Sequence, residues 1–276
     1  MGLMKYLKQI LSFKNTPHQI VCHVDFQQST DRFKGKKVLV TGGSSGIGFE
    51  IARQYVSEGA YVLITGRQEE TLKQSCEKLG NDKATYIVWD LQEVPQIYTM
   101  FKACIKRLKD IDIFVNNAGV FKTGKWDSVD FLTYEYINSI NAKALFHLCK
   151  AEEDYLVSTG RRGYVINVCS MDGLISNFTP YGVSKWNATA ITKEFALSMQ
   201  EKGVIVNGIA PGAVVTNIAG KTDKDVYQNA YSKRHPTGRY VLTEEIAQLT
   251  LLLTDKNNHV RGQIIAVDGG TSIFES

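Results

Sequence analysis

No stretch of the 276 residues approaches the roughly 18–20 consecutive apolar side chains that a membrane-crossing helix needs. A membrane role is therefore not expected. Cysteine is sparse and odd in number: Cys22, Cys76, Cys104, Cys149 and Cys169, with no pair at C-x-x-C spacing. That excludes a disulfide framework and points to a reducing, cytoplasmic setting with small buried thiols. The five histidines show no metal-ligand spacing, so no metal site is expected. Internal repeats, low-complexity tracts and Pro/Gly-rich linkers are also lacking. A chain of this length without linkers reads as one domain with a large core.

Hydrophobic residues make up 43% and charged residues 22%, an ordinary balance for a globular protein. The net charge of +4 is unevenly placed. Residues 1–40 hold seven basic side chains against Asp25 and Asp31, a surplus of +5, which leaves the remainder at −1. A nearly neutral body argues against nucleic acid. Most of this basic surplus belongs to an N-terminal arm, residues 1–34. In it Leu3, Met4, Leu7, Ile10 and Leu11 share one helical face, while Ile20, Cys22, Val24 and Phe26 alternate as in a short strand. Lys5 and Lys8 break the apolar run and no small-residue cleavage site follows, so a signal peptide is not expected. Tyr6 stands where a myristoylation signal has Ser or Thr. The arm is open to three readings: packed on the body or a partner subunit, a weak membrane-surface helix, or a disordered lead-in.

From residue 35 onward, apolar runs of strand length alternate with helical patterns. Strands are expected at 37–41, 61–66, 84–90, 111–116, 164–169, 204–210 and 263–267. They are rich in Val and Ile and apolar on both faces, as in a parallel sheet covered on each side. Helices are expected at 47–58, 69–79, 96–108, 131–158, 186–201 and 243–254. The alternation predicts a single Rossmann-like α/β domain, a doubly wound parallel seven-stranded sheet flanked by helices on both faces.

The first expected strand runs straight into Thr41-Gly42-Gly43-Ser44-Ser45-Gly46-Ile47-Gly48, and a helical pattern follows. Such a turn lets backbone approach a pyrophosphate at the positive end of a helix. T-G-x-x-x-G-I-G resembles the fingerprint of the short-chain dehydrogenase/reductase family. The likeness continues in order along residues 36 to about 272: Asn116-Asn117-Ala118-Gly119, Asn141, the run 163–170 ending in Ser170, Tyr181-Gly182-Val183-Ser184-Lys185, Asn207 with Pro211-Gly212 and then Thr216, and Val267-Asp268-Gly269-Gly270. This resemblance implies a nicotinamide cofactor held by Gly42, Ser44, Ser45, Gly46, Ile47 and Gly48. It adds Asp90 and Leu91 at the adenine, and Asn117, Ala118, Gly119, Tyr181, Lys185, Pro211, Gly212, Val214 and Thr216 along the rest of the molecule. It also implies that Lys185 holds the nicotinamide ribose, that Ser170 orients the substrate oxygen, and that Asn141 supports a water relaying protons to Lys185. The interval from Ser170 to Tyr181 is eleven residues, where many family members have about thirteen, which reshapes the pocket wall.

A Y-x-x-x-K spacing alone is weak, since Tyr98 and Lys102 share it on an ordinary helix face. Tyr181 and Lys185 differ by their setting after Ser170 and Pro180. A free tyrosine ionises near pH 10, and a cation one helical turn away favours its phenolate. The pair can therefore exchange a proton with a carbonyl or alcohol oxygen while a hydride moves on carbon.

Where NAD enzymes place a carboxylate for the ribose 2′-OH, this chain has Gly66 followed by Arg67. A guanidinium suits a 2′-phosphate, so NADP(H) is expected over NAD(H). Ser45 carries no charge where many NADP enzymes of the family have a second basic residue. A polar segment at about 217–239, with Tyr227 and Tyr231, fits a substrate loop. Val120, Phe121, Trp126, Met171 and Phe178 suggest an apolar pocket for a small-molecule carbonyl or alcohol substrate. No Arg/Lys cluster marks an acyl-carrier or nucleotide-sugar substrate. The expectation is a carbonyl reductase. The alternatives are an NAD-linked alcohol dehydrogenase and a non-catalytic dinucleotide-binding protein. The resemblance also implies a homotetramer or homodimer joined through the helices near 131–158 and 181–202.

Overall fold

The computed structural model describes residues 31–122, 129–176, 179–216, 236–256 and 258–274. Seven parallel strands form its sheet: β1 Lys37–Thr41, β2 Tyr61–Gly66, β3 Ala84–Val88, β4 Ile113–Asn116, β5 Tyr164–Val168, β6 Ile205–Pro211 and β7 Ile264–Val267. Their spatial order is β3-β2-β1-β4-β5-β6-β7. The central strands are buried along nearly their whole length, which is why they read as continuous Val/Ile runs.

Three helices cover one face: α1 Gly46–Ser57, α2 Glu69–Leu79 and, after β6, the helix at Thr243–Leu253. The other face is covered by α3 Ile97–Leu108 and by the two long helices between β4 and β6. Each face closes over its own core. Ile51, Tyr55, Leu72 and Leu251 fill the first, and Phe101, Phe114, Leu148 and Phe195 the second. Burying a side chain of this size contributes about 1.5–3 kcal/mol. The end of the N-terminal stretch joins the first core. Phe33 is buried edge-on to Tyr55, with ring centroids 5.0 Å apart, and its amide donates to Glu58 O at 2.8 Å. Residues 1–30 lie outside the described residues.

The helix expected at 131–158 comes in three parts. α4 covers Phe131–Asn138, a π-helical turn covers Ser139–Ala144, and α5 covers Leu145–Thr159. The helix expected to start at 186 begins six residues earlier. α6 spans Pro180–Met199, with the Thr179 hydroxyl accepting from Gly182 N at 3.0 Å and Pro180 in its first turn. That earlier start puts Tyr181 and Lys185 on one helical turn. The helix after β6 is α7, Thr243–Leu253, and a short α8, Thr271–Phe274, closes the described chain.

The strand order reverses between β1 and β4, which leaves a crevice at their carboxyl ends. Open α/β sheets bind ligands at such a switch point.

Candidate active site

The crevice is a cavity of about 520 Å³. Its floor is the turn between β1 and α1. Gly42 (φ +65°) and Gly46 (φ +54°) adopt left-handed backbone there, which other residues rarely take. A Cβ on Gly42 would lie 2.9 Å from Ala118 Cα, and one on Gly46 would lie 3.3 Å from Thr216 Cγ2. The turn thus fits against the ends of β4 and β6 only because it is glycine. Ser45 precedes α1 without a side-chain cap, and the first turn holds no acid. The helix N-terminus therefore offers amide donors and positive potential to an anionic group. This is the observation by which the site fits a dinucleotide pyrophosphate.

Thr41 and Asn117 tie the turn to β4. The Thr41 hydroxyl accepts from the amides of Asn117 and Ala118, both at 3.1 Å. The Asn117 side chain donates to the carbonyls of Thr41 and Gly42, both at 3.0 Å. Gly48 lies behind this junction and does not line the cavity. A Cβ there would run into the Gly42 carbonyl and the Asn117 amide.

Ser170, Tyr181 and Lys185 all line the same cavity. Ser170 follows β5 by two residues, in extended conformation, and its hydroxyl accepts from Asp172 N at 3.2 Å. The following turn, Met171–Gly173, packs directly on α6 because Gly173 has no Cβ to meet Thr189 Oγ1, which would stand 2.9 Å away. The short segment from Ser170 to Tyr181 is fastened by Trp186 Nε1, which donates to Ile175 O at 2.9 Å. Lys185 is buried, donates to Val168 O at 3.0 Å, and sits 5.6 Å from the centre of the Tyr181 ring. Among the described residues no carboxylate pairs with it. Its charge is thus directed at the Tyr181 end of the cavity. Phe121 packs edge-on to Tyr181 with centroids 5.0 Å apart.

Asn141 stands behind the wall, in the π-helical turn. Its Oδ1 accepts from Val120 N at 2.8 Å, and its Nδ2 donates to Val120 O at 2.9 Å and Ser184 Oγ at 3.1 Å. Its side chain therefore fixes the loop after β4 against α6. Widened turns of this kind recur at functional sites.

The other expected residues meet along the cavity. Gly42, Ser44, Ser45, Gly46 and Ile47 lie at the floor, Arg67, Asp90 and Leu91 at one end, and Ala118, Gly119, Pro211, Gly212, Val214 and Thr216 along the sides. Of the expected substrate wall, Val120, Phe121 and Met171 are in place, while Trp126, Phe178 and residues 217–235 lie outside the described residues. Sequence reasoning missed Trp89, Ile140 and Asp172, which also line the cavity. Trp89 and Ile140 directly precede two residues it did name, so adjacency at the strand end and in the helix was the available signal.

The chain matches the short chain dehydrogenase family over residues 36–226. It belongs to that family. It is 30% identical to the 3-oxoacyl-(acyl-carrier-protein) reductase FabG of Thermotoga maritima, over 88% of this chain and 100% of that protein. It is also 30% identical to the glucose 1-dehydrogenase of Gluconobacter oxydans, over 88% of this chain and 94% of that one. Among solved structures, levodione reductase superposes with a TM-score of 0.79 at 26% identity, covering 87% of this chain and 99% of that chain. The protein is therefore a short-chain dehydrogenase, an oxidoreductase acting on CH–OH or C=O groups, of a family that uses NAD(P)(H).

This short-chain dehydrogenase also carries a buried polar cluster just beneath the site. Asn116 Nδ2 donates to Asn167 Oδ1 at 2.9 Å and to Glu152 Oε2 at 3.2 Å, and Asn167 Nδ2 donates to Thr192 Oγ1 at 2.9 Å. Glu152 is fully buried, and its Oε1 has no partner. Burial pushes its carboxyl up to about 8, against the opposing hydrogen bond from Asn116. Among the described residues no cluster of His, Cys, Asp and Glu could hold a metal ion, and no helix is long and apolar enough to cross a membrane.

Proposed function

We propose that this short-chain dehydrogenase binds NADP(H) in preference to NAD(H) and reduces a ketone or aldehyde, with Tyr181 as the proton donor. The observation that carries this reading is one continuous cavity, with Gly66 and Arg67 in place of a carboxylate where β2 ends, and Ser170, Tyr181 and Lys185 at the other end. Gly66, where a carboxylate would hold a free 2′-OH, lines the cavity beside Arg67.

When bound, the reduced nicotinamide supplies a hydride to the carbonyl carbon. The chain supplies the rest. Ser170 Oγ donates a hydrogen bond to the carbonyl oxygen and orients it. The Tyr181 hydroxyl gives its proton to that oxygen as negative charge develops there. The Lys185 ammonium offsets the charge left on the phenolate and also donates to the nicotinamide ribose. The Asn141 amide hydrogens are committed to Val120 and Ser184, so its side chain acts by holding the loop after β4 against α6 beside Lys185.

Among the described residues the substrate end is mostly apolar, with Val120, Phe121, Ile140 and Met171 beside one carboxylate, Asp172. That suits an apolar carbonyl compound better than an anionic one. Phe146 on α5, with Trp186 and Leu197 on α6, is exposed, which supports a homodimer or homotetramer joined through these helices. Free, buried Cys76, Cys104, Cys149 and Cys169 support a reducing, cytoplasmic location.

Titrating the purified protein with NADPH and with NADH, by nucleotide fluorescence in one buffer, tests the cofactor reading. Binding of NADPH at least about tenfold tighter is expected from a guanidinium–phosphate contact. Equal or tighter NADH binding would overturn it and favour an NAD-linked alcohol dehydrogenase.

A further inference from the structure

Arg67 lines one end of the cavity and is hydrogen-bonded to a residue that does not itself line it. Its Nη1 donates to the Tyr136 hydroxyl at 3.3 Å, although α4 and β2 are far apart in sequence. On the same ring, Lys122 Nζ sits 5.1 Å from the centroid. One aromatic side chain thus gathers two cations, one by a hydrogen bond and one by its π face.

Among the described residues no carboxylate pairs with either of them, and Asp90, at the same end of the cavity, accepts from Gln92 N at 2.9 Å. The acids nearest Arg67 and Tyr136 in sequence are engaged elsewhere. Glu69 accepts from the Tyr86 hydroxyl at 3.3 Å, Glu70 from Gln74 at 3.1 Å, and Glu135 pairs with Lys143 at 2.7 Å. Two like charges held near one ring without a counter-ion raise the local potential and favour an anion.

We propose that Tyr136 and Lys122 complete the subsite for the adenosine 2′-phosphate. This rests on the NADP(H) reading above. Tyr136 is a positioning residue. By accepting from one Nη of Arg67 it holds a long, exposed side chain in one orientation, so less freedom is lost on binding, while the remaining guanidinium donors stay available for phosphate oxygens. The phenol keeps its own hydrogen, which can be donated to the same phosphate. Lys122 adds the second positive charge that Ser45 does not provide from the glycine turn.

The test is a set of NADPH and NADH titrations on the full chain carrying Tyr136→Phe, Lys122→Met or Arg67→Ala. Phenylalanine keeps the ring and its packing, and thermal denaturation confirms that each variant is folded. Tyr136→Phe and Lys122→Met are each expected to weaken NADPH binding by about 3- to 10-fold, the size of one lost charge-assisted contact, and to leave NADH binding unchanged. Lys122→Met should also flatten the salt dependence of NADPH binding. Arg67→Ala is the control and should lower the NADPH/NADH preference most. If Arg67→Ala lowers that preference while the other two variants change both cofactors equally or not at all, the subsite assignment is wrong and the cofactor reading stands. If Arg67→Ala leaves the preference unchanged, both are wrong.

Discussion

Glu152 shows how far a single side chain can depart from its pattern. It lies on a helix face that packs into the apolar core, yet it is fully buried with one oxygen unpartnered. Its folded-state ionisation is raised to about 8, so between about pH 4.5 and 8 the folded chain keeps a proton that the unfolded chain has lost. Its contribution to stability is therefore complete below about pH 4.5 and declines as pH rises, by at most about 1.4 kcal/mol per unit, until it levels off above about 8. Glu152→Gln keeps an acceptor for Asn116 and removes the titration. Unfolding profiles from pH 5 to 9 should be flatter for the variant, which should be the more stable protein at pH 8–9. An unchanged pH slope would remove Glu152 as its source. Neither Glu152 nor Tyr136 was legible as special in the sequence. What defines them, Asn116 for one and Arg67 for the other, lies dozens of residues away. Tyr181, Lys185 and Ser170 were legible because each carries a short local motif.

At the scale of elements, the strands were legible because burial on both faces leaves a run with no polar alternation, as in β6, where every residue is buried. Helix ends and interruptions were not. The start of α6 depends on Thr179 capping and Pro180 in the first turn, in a segment whose apolar spacing is weak. The π-helical turn lies where Asn141 bonds to Val120, twenty-one residues away, and no local pattern encodes that contact. Asn141→Ala would remove the bonds to Val120 and Ser184. We expect kcat to fall at least about tenfold, with a smaller change in cofactor affinity. Wild-type turnover in the variant would leave Asn141 a packing residue only. The glycine turn was legible in full, but not the division of labour within it. Gly48→Ala would drive α1 away from Gly42 and Asn117. A loss of about 1–3 kcal/mol and weaker dinucleotide binding should follow, read by denaturation and titration. A variant with wild-type values on both would show that the contact is not tight.

At the scale of the molecule, the layers of the fold place the cavity at the reversal between β1 and β4, so that the segments following β1 to β6 meet on one ligand site. The exposed apolar residues Phe146, Trp186 and Leu197 of α5 and α6 do not line that site. If they join subunits, Leu197→Glu combined with Phe146→Glu should reduce the mass in solution by at least half while leaving NADPH affinity near the wild-type value. An unchanged mass would place any subunit contact elsewhere. The central claim concerns chemistry. Its most direct test is NADPH oxidation against a panel of aliphatic and aromatic ketones and aldehydes, by the wild-type protein and by Tyr181→Phe. The account predicts turnover by the wild type, and NADPH binding by the variant of similar strength with kcat lower by at least about 100-fold, the size of a lost general acid. A Tyr181→Phe protein that turns over as fast as wild type would contradict it.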